Sequence, residues 1–119
     1  MALTKSSSVV VNSVSLGAST GTIVSGDIDL TAAYQTVVYG RFVNGATGPT
    51  VQAQCQIDVA EDTTNYIAFT TVYGGTSSAV TTPFAVEIPD PIQKLRLQYG
   101  SNTGQAVTFR AVVGTITAY

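Results

Sequence analysis

Residues 50–60 read TVQAQCQIDVA, in which Val51, Ala53, Cys55, Ile57 and Val59 alternate with Gln52, Gln54, Gln56 and Asp58. A period of two gives a strand with one packed face and one wet face, whereas a helix would scatter the five apolar groups around its circumference. At roughly 3.3 Å per residue, such a strand crosses a small domain almost from end to end, which predicts a central strand with neighbours on both sides.

Upstream, residues 34–43 (YQTVVYGRFV) carry large apolar groups on both parities: Tyr34, Val38 and Phe42 on one, Val37, Tyr39 and Val43 on the other. That pattern predicts a strand covered on both faces, once by the core and once by a loop or a second subunit. Residues 44–49 (NGATGP) combine an Asn-Gly pair with a proline and predict a hairpin into the anchor strand, which would place Arg41 near the glutamine face. Earlier still, residues 9–16 and the short Ile23-Val24 pair read as strands separated by a GASTG turn. From Asp27 the alternation returns, with Ile28, Leu30, Ala32 and Tyr34 opposite Asp27, Asp29, Thr31 and Ala33.

Downstream, residues 60–65 form a polar turn, and residues 66–73 (YIAFTTVY) form a second strand with apolar groups on both sides. Residues 74–82 (GGTSSAVTT) have no core-facing pattern and read as a long exposed loop. Phe84, Val86 and Ile88 resume the alternation until Pro89-Asp90-Pro91 breaks it. In residues 92–99, Leu95, Leu97 and Tyr99 face in while Lys94, Arg96 and Gln98 face out, and residues 100–105 read as a hairpin loop. The last strand changes parity beside Gly114, from Val113 to Ile116, which predicts a β-bulge, and its terminal Tyr119 predicts an end packed into the sheet. Helical periodicity never lasts more than a turn. The expectation is an all-β antiparallel β-sandwich of seven to nine strands, with the jelly roll as the commonest closure at this size.

A chain of 119 residues is one domain of ordinary size. The polar residues 1–8 read as a flexible or partner-bound N-terminal arm and residues 9–119 as the sandwich. Only 10% of residues are charged, against about 25% in average soluble domains, which suits a protein packed against neighbours. The net charge is −2 and the five basic residues are scattered, so the basic stripe of a nucleic-acid binder is missing. No apolar run approaches a membrane span, and the run after Lys5 is too short for a signal peptide, which points to assembly in a cytosol.

There is no histidine, and the single cysteine, Cys55, lies on the apolar parity, where it reads as a small buried hydrophobe rather than a nucleophile. Asp27 and Asp29 share a strand face and are the candidate ligands for a hard cation such as Ca²⁺, with Asp58, Glu61 or Asp62 alongside. Their plainer reading is a pair of solvated carboxylates that keep an edge strand from sticking to others. No phosphate-binding glycine loop, Cys/His cluster or nucleophile elbow is present, so the expectation is no enzyme and no cofactor.

The succession YQTVVYGRFVNGATGPTVQAQCQIDVAEDTTNYIAF, then VEIPDPIQKLRLQYGSNTGQAVTFRAVVGTI, resembles the small β-sandwich structural proteins of tailed-bacteriophage heads and tails. It is also similar to discoidin-like jelly rolls, in which an acidic turn followed by Asn and an aromatic (here Glu61, Asp62, Asn65 and Tyr66) precedes a strand like Lys94-Leu95-Arg96. This chain has Tyr66 where such turns often carry tryptophan and lacks their ligand loop, so sugar binding does not transfer. The resemblance implies a virion component, a capsid decoration or cement protein that binds the major capsid protein or other virion subunits, commonly as a homotrimer.

The apolar excess of the two doubly apolar strands, with the arm and the 74–82 loop, marks contact elements. Lys5, Val9, Val37, Tyr39, Tyr73, Ser77 and Ser78 are the candidate partner-binding residues. A carbohydrate-binding module of a phage tail or baseplate and a tail tube or neck subunit are the alternative readings. Neither a nucleic acid nor a membrane is expected as a partner.

Overall fold

The computed structural model describes residues 4–19, 21–60 and 64–118. Nine strands follow one another: β1 (Thr4–Leu16), β2 (Thr22–Val24), β3 (Ile28–Asp29), β4 (Gln35–Asn44), β5 (Gln54–Ala60), β6 (Ile67–Tyr73), β7 (Thr81–Ile88), β8 (Lys94–Gly100) and β9 (Val107–Ala118). Their pairing is antiparallel throughout and nested: β1 with β9, β2 and β3 with β8, β4 with β7, β5 with β6. Cross-links of β4 to β9 and of β5 to β8 complete two sheets. Sheet A runs β1-β9-β4-β7, and sheet B runs β2-β8-β5-β6 with β3 also on β8. The all-β sandwich anticipated from the alternation is therefore what the chain builds, and the nesting is that of a jelly roll.

The anchor stretch behaves as its pattern requires. Strand β5 lies between β8 and β6, and Ala53, Cys55 and Ile57 have no exposed surface. Opposite Cys55 and Ile57 in register stand Tyr99 and Leu97, with Leu95 opposite Val59. From sheet A, Val38, Phe42, Phe109 and Ala111 close the core. At its centre the Phe109 ring lies 4.9 Å from Phe42, 6.1 Å from Phe84 and 5.1 Å from Tyr99. Tyr99 is the sheet B member of this group, so the rings hold the two layers together. Between β4 and β9 the backbones approach so closely that a Cβ on Gly40 would collide with the Arg110 carbonyl, which only glycine permits.

Several expectations are corrected. Residues 44–49 do not form a hairpin: β4 and β5 belong to different sheets, so this segment crosses the sandwich. Residues 101–106 cross in the same way between β8 and β9. Arg41 accordingly lies on the outer side of sheet A, facing away from the glutamines of β5. Buried amides tie these crossings. Asn44 Nδ2 donates to the carbonyls of Gly75 and Ser77, and Asn102 Nδ2 donates to those of Leu16, Gly17 and Gln105. The 74–82 loop is thereby stitched to the 44–48 loop, and its end is already strand β7.

Residues 4–8, expected as an arm apart from the domain, lie in β1 and pair with β9 from Thr4↔Ala118 onward, while Met1 to Leu3 fall outside the described residues. The expected bulge at Gly114 is also absent, since β9 pairs with β4 in unbroken register from Ile116 to Val107. Register shifts lie against β1 instead, between Thr4 and Lys5, Val9 and Val11, and Val11 and Val14. The apparent parity change has another cause: Val107, Phe109, Ala111 and Val113 face the core, whereas Ile116 belongs to the outward parity, opposite Gln35 and Lys5. Tyr119, expected to be packed, lies outside the described residues.

Phe109 carries the aromatic centre, so Phe109→Ala is expected to cost about 3–5 kcal/mol in urea unfolding. Val9→Ala, at a residue 47% exposed, should stay within about 0.5 kcal/mol of the wild type.

Candidate binding surfaces on the two outer faces

Strand alternation leaves each sheet a face turned away from the core, and the two faces differ in chemistry. On sheet A, cross-strand register builds an apolar row of Val9, Val112, Tyr39 and Ala85. Val112 is buried although it points outward, because Val9 and Tyr39 flank it. Tyr39 itself keeps 40% of its surface exposed. Beside the row a groove of about 370 Å³ is lined by Lys5, Gln35, Val37, Tyr39, Gly114 and Ile116, among others. Of the two covers expected for this strand, the core is present over Val38 and Phe42, while no described loop lies over Val37, Tyr39 and Val43, which look outward.

Strand β6, the other doubly apolar segment, is the free edge of sheet B. Its register slips by one residue against Ile57 and Asp58, leaving Phe69 as the extra residue of a bulge. Ile67, Phe69 and Tyr73 are 67%, 42% and 51% exposed.

The outer face of sheet B is polar. Asp58, expected on a wet face, is only 2% exposed. Gln56 Nε2 donates to its Oδ1 at 2.7 Å, while Arg96 Nε at 3.0 Å and Gln98 Nε2 at 2.5 Å donate to its Oδ2. The Arg96 guanidinium lies 4.4 Å over the Tyr66 ring, whose hydroxyl donates to Asp27 Oδ1 at 2.8 Å. Burial pushes the Asp58 carboxyl up, but the hydrogen bonds from Gln56, Gln98 and Arg96 and the guanidinium's charge outweigh it and hold the pKa below the usual carboxylate value. Burial, together with the bond to Asp27, pushes the Tyr66 phenol up to about 12.

Of the candidate partner-binding residues, Lys5, Val9, Val37 and Tyr39 come together on the outer face of sheet A. Tyr73 ends β6 on sheet B, and Ser77 and Ser78 sit in the exposed β6–β7 loop. Asp27 and Asp29 have separate engagements: Asp27 accepts from Tyr66, while Asp29 accepts the Thr31 backbone N–H, which lowers its pKa. No group of three or more His, Cys, Asp or Glu that could hold a metal ion occurs among the described residues, and Glu61 and Asp62 lie outside them. The Asp58 network escaped the sequence because the Asp58↔Arg96 pairing depends on which strands share a sheet. Its one visible signal was the match of two polar stripes, Gln54-Gln56-Asp58 and Lys94-Arg96-Gln98.

No family model matches the sequence, and no curated protein matches it. Among solved structures the chain is similar to one described as Bacillus endospore appendages forming a family of disulfide-linked pili, with a TM-score of 0.57 and 9% identity over 100% of this chain and 93% of that one. It is also similar to a family 16 carbohydrate-binding module, with a TM-score of 0.50 and 10% identity over 82% of this chain and 70% of that one. At such identities the likeness is one of fold.

A carboxyl whose pKa is lowered on folding stabilises fully above its unfolded value near about pH 4, and that contribution is lost as pH falls through the folded value. The thermal midpoint should therefore drop on acidification towards about pH 2. Asp58→Asn should lower the midpoint at neutral pH by a loss of about 1–3 kcal/mol and flatten that acid limb. Cys55, whose thiol burial pushes up to about 12, should resist thiol reagents in the native protein and react fully in denaturant.

Proposed function

We propose that the chain is a non-enzymatic structural subunit that packs against neighbouring subunits of a repeated assembly through the outer face of sheet A. The observation that carries this reading is the apolar row and groove on that face, which no described element of the chain covers. Each buried square ångström of apolar surface contributes about 25 cal/mol, so one such contact is modest, and symmetry multiplies it. A low charge content suits a subunit enclosed by others. The pilus subunit of similar fold, which spans the whole of this chain, supports an assembly role in general. Cys55 is buried, so the assembly proposed here is held by non-covalent contacts.

Within that reading we favour a virion, on the strength of the sequence resemblance to tailed-phage head and tail proteins. The chain would sit on the assembled shell as a decoration or cement protein, bound to the major capsid protein in trimers. It would be assembled in the host cytoplasm.

A second reading has its own observation. The outer face of sheet B sets the amides of Gln54, Gln56 and Gln98 and the Arg96 guanidinium in rows beside exposed Tyr73 and Phe69. Amides and guanidinium groups can bond vicinal hydroxyls, and aromatic faces can stack on sugar rings, so this surface suits a carbohydrate. The similar carbohydrate-binding module supports it in general.

Light scattering after size exclusion tests the first reading: the wild type should form a discrete oligomer, and Val37→Asp with Tyr39→Asp should return it to the monomer with unchanged circular dichroism. A wild type that stays monomeric and fails to bind shells lacking it would overturn the assembly role. Glycan-array binding that is lost in Tyr73→Ala and Gln98→Ala would establish the second reading in its place.

A further inference from the structure

The five basic side chains are divided unevenly between the two faces. On sheet B, Arg96 is bridged to Asp58, and Lys94 stands opposite Asp29 in register. On sheet A, Lys5, Arg41 and Arg110 share the outer face, where Glu87, opposite Val37, is the acid in register on that side. Arg41 and Arg110 are direct cross-strand partners on β4 and β9. Like charges directly opposite each other destabilise a sheet, and here a neighbouring glycine makes the two backbones approach unusually closely. Among the described residues no carboxylate lies within ion-pair distance of either guanidinium. Arg110 is steadied instead by a neutral acceptor, donating from Nη1 to Asn12 Oδ1 at 2.7 Å.

The two arginines border a hollow of about 300 Å³ that is continuous with the apolar row, its walls including Val9, Tyr39, Pro83 and Val112. A repulsive pair of fork-shaped donors at the rim of an apolar hollow is the arrangement that a shared carboxylate converts into an attractive one. The acids to match it lie on the other side of the same molecule. Asp27 and Asp29 are exposed at the β3 edge of sheet B.

We propose that Arg41 and Arg110 form a carboxylate-recognising site whose occupant is the Asp27–Asp29 edge of a second copy of this chain. The contact joins unlike surfaces, so it propagates head to tail and closes into a ring if the rotation between copies allows, a trimer being the smallest such ring. The inference rests on the assembly reading and deepens it by naming the partner surface and its chemistry.

The test compares association of the full chain, by sedimentation and light scattering, at about 0.05 M and about 0.5 M salt, where screening differs several-fold in range. Wild-type association should weaken at least tenfold at the higher salt. Arg41→Gln with Arg110→Gln should weaken association at least tenfold while raising the thermal midpoint of the monomer, because the like-charge repulsion is gone. A purely structural role for the arginines would lower both. Arg41→Glu with Arg110→Glu and Asp27→Lys with Asp29→Lys should each be monomeric, and their equimolar mixture should associate again. Association of the arginine variants at wild-type strength, or a mixture that stays monomeric although both chains fold, overturns the proposal. If Val37→Asp with Tyr39→Asp still abolishes association in that case, the assembly reading stands and this contact alone falls. A wild type that is monomeric at both salt concentrations overturns this contact, and the assembly reading falls with it only if the protein also fails to bind shells lacking it.

Discussion

Side-chain packing between the two sheets holds the sandwich together, and the ring cluster of Phe42, Phe84, Phe109 and Tyr99 is its centre. Three rings come from sheet A and one from sheet B, so they fix how far apart the layers sit and how they are turned. The nested topology depends on that packing. Strand β1 pairs with the far end of the chain in β9, and β2 and β3 pair with β8, so chain closure over long separations must be offset by burial between the layers. The buried amides of Asn44 and Asn102 then fix the crossing segments, each donating to two carbonyls distant in sequence.

Much of this was legible from alternation. The inward sets Cys55-Ile57-Val59, Phe84-Val86-Ile88 and Leu95-Leu97-Tyr99 all face the core as their spacing requires. Connectivity between layers was not legible, because an Asn-Gly turn and a crossing loop share the same residues, and only the sheet assignment of β5 tells them apart. Burial at the ends misled in a physical way. Ile116 and Val9 are apolar and sit in strands, yet register turns both to the outer face of sheet A, and an apolar residue does not itself record which face of its sheet is covered. Of the site, Val37 and Tyr39 were visible as a second apolar parity, whereas the Arg41–Arg110 pair and the Asp58 network exist only in register.

The two outer faces show how one fold separates two chemistries. Sheet B consumes its cations internally: Arg96 neutralises a buried carboxylate and stacks on Tyr66, leaving a surface of amides and aromatic rings. Sheet A leaves its cations unneutralised beside an apolar row. A net charge of −2 on the whole chain conceals this difference between the faces. Such a molecule carries an electrostatic direction from one face to the other.

The position of Cys55 has a consequence for how any assembly of this chain would grow. With its one thiol sealed at the middle of sheet B, a subunit offers a neighbour no sulfur with which to form a disulfide. Every joint can reopen, so a copy seated at the wrong angle departs faster than one seated well. Order in the finished structure would then come from repeated trial and release rather than from a permanent bond made at first encounter.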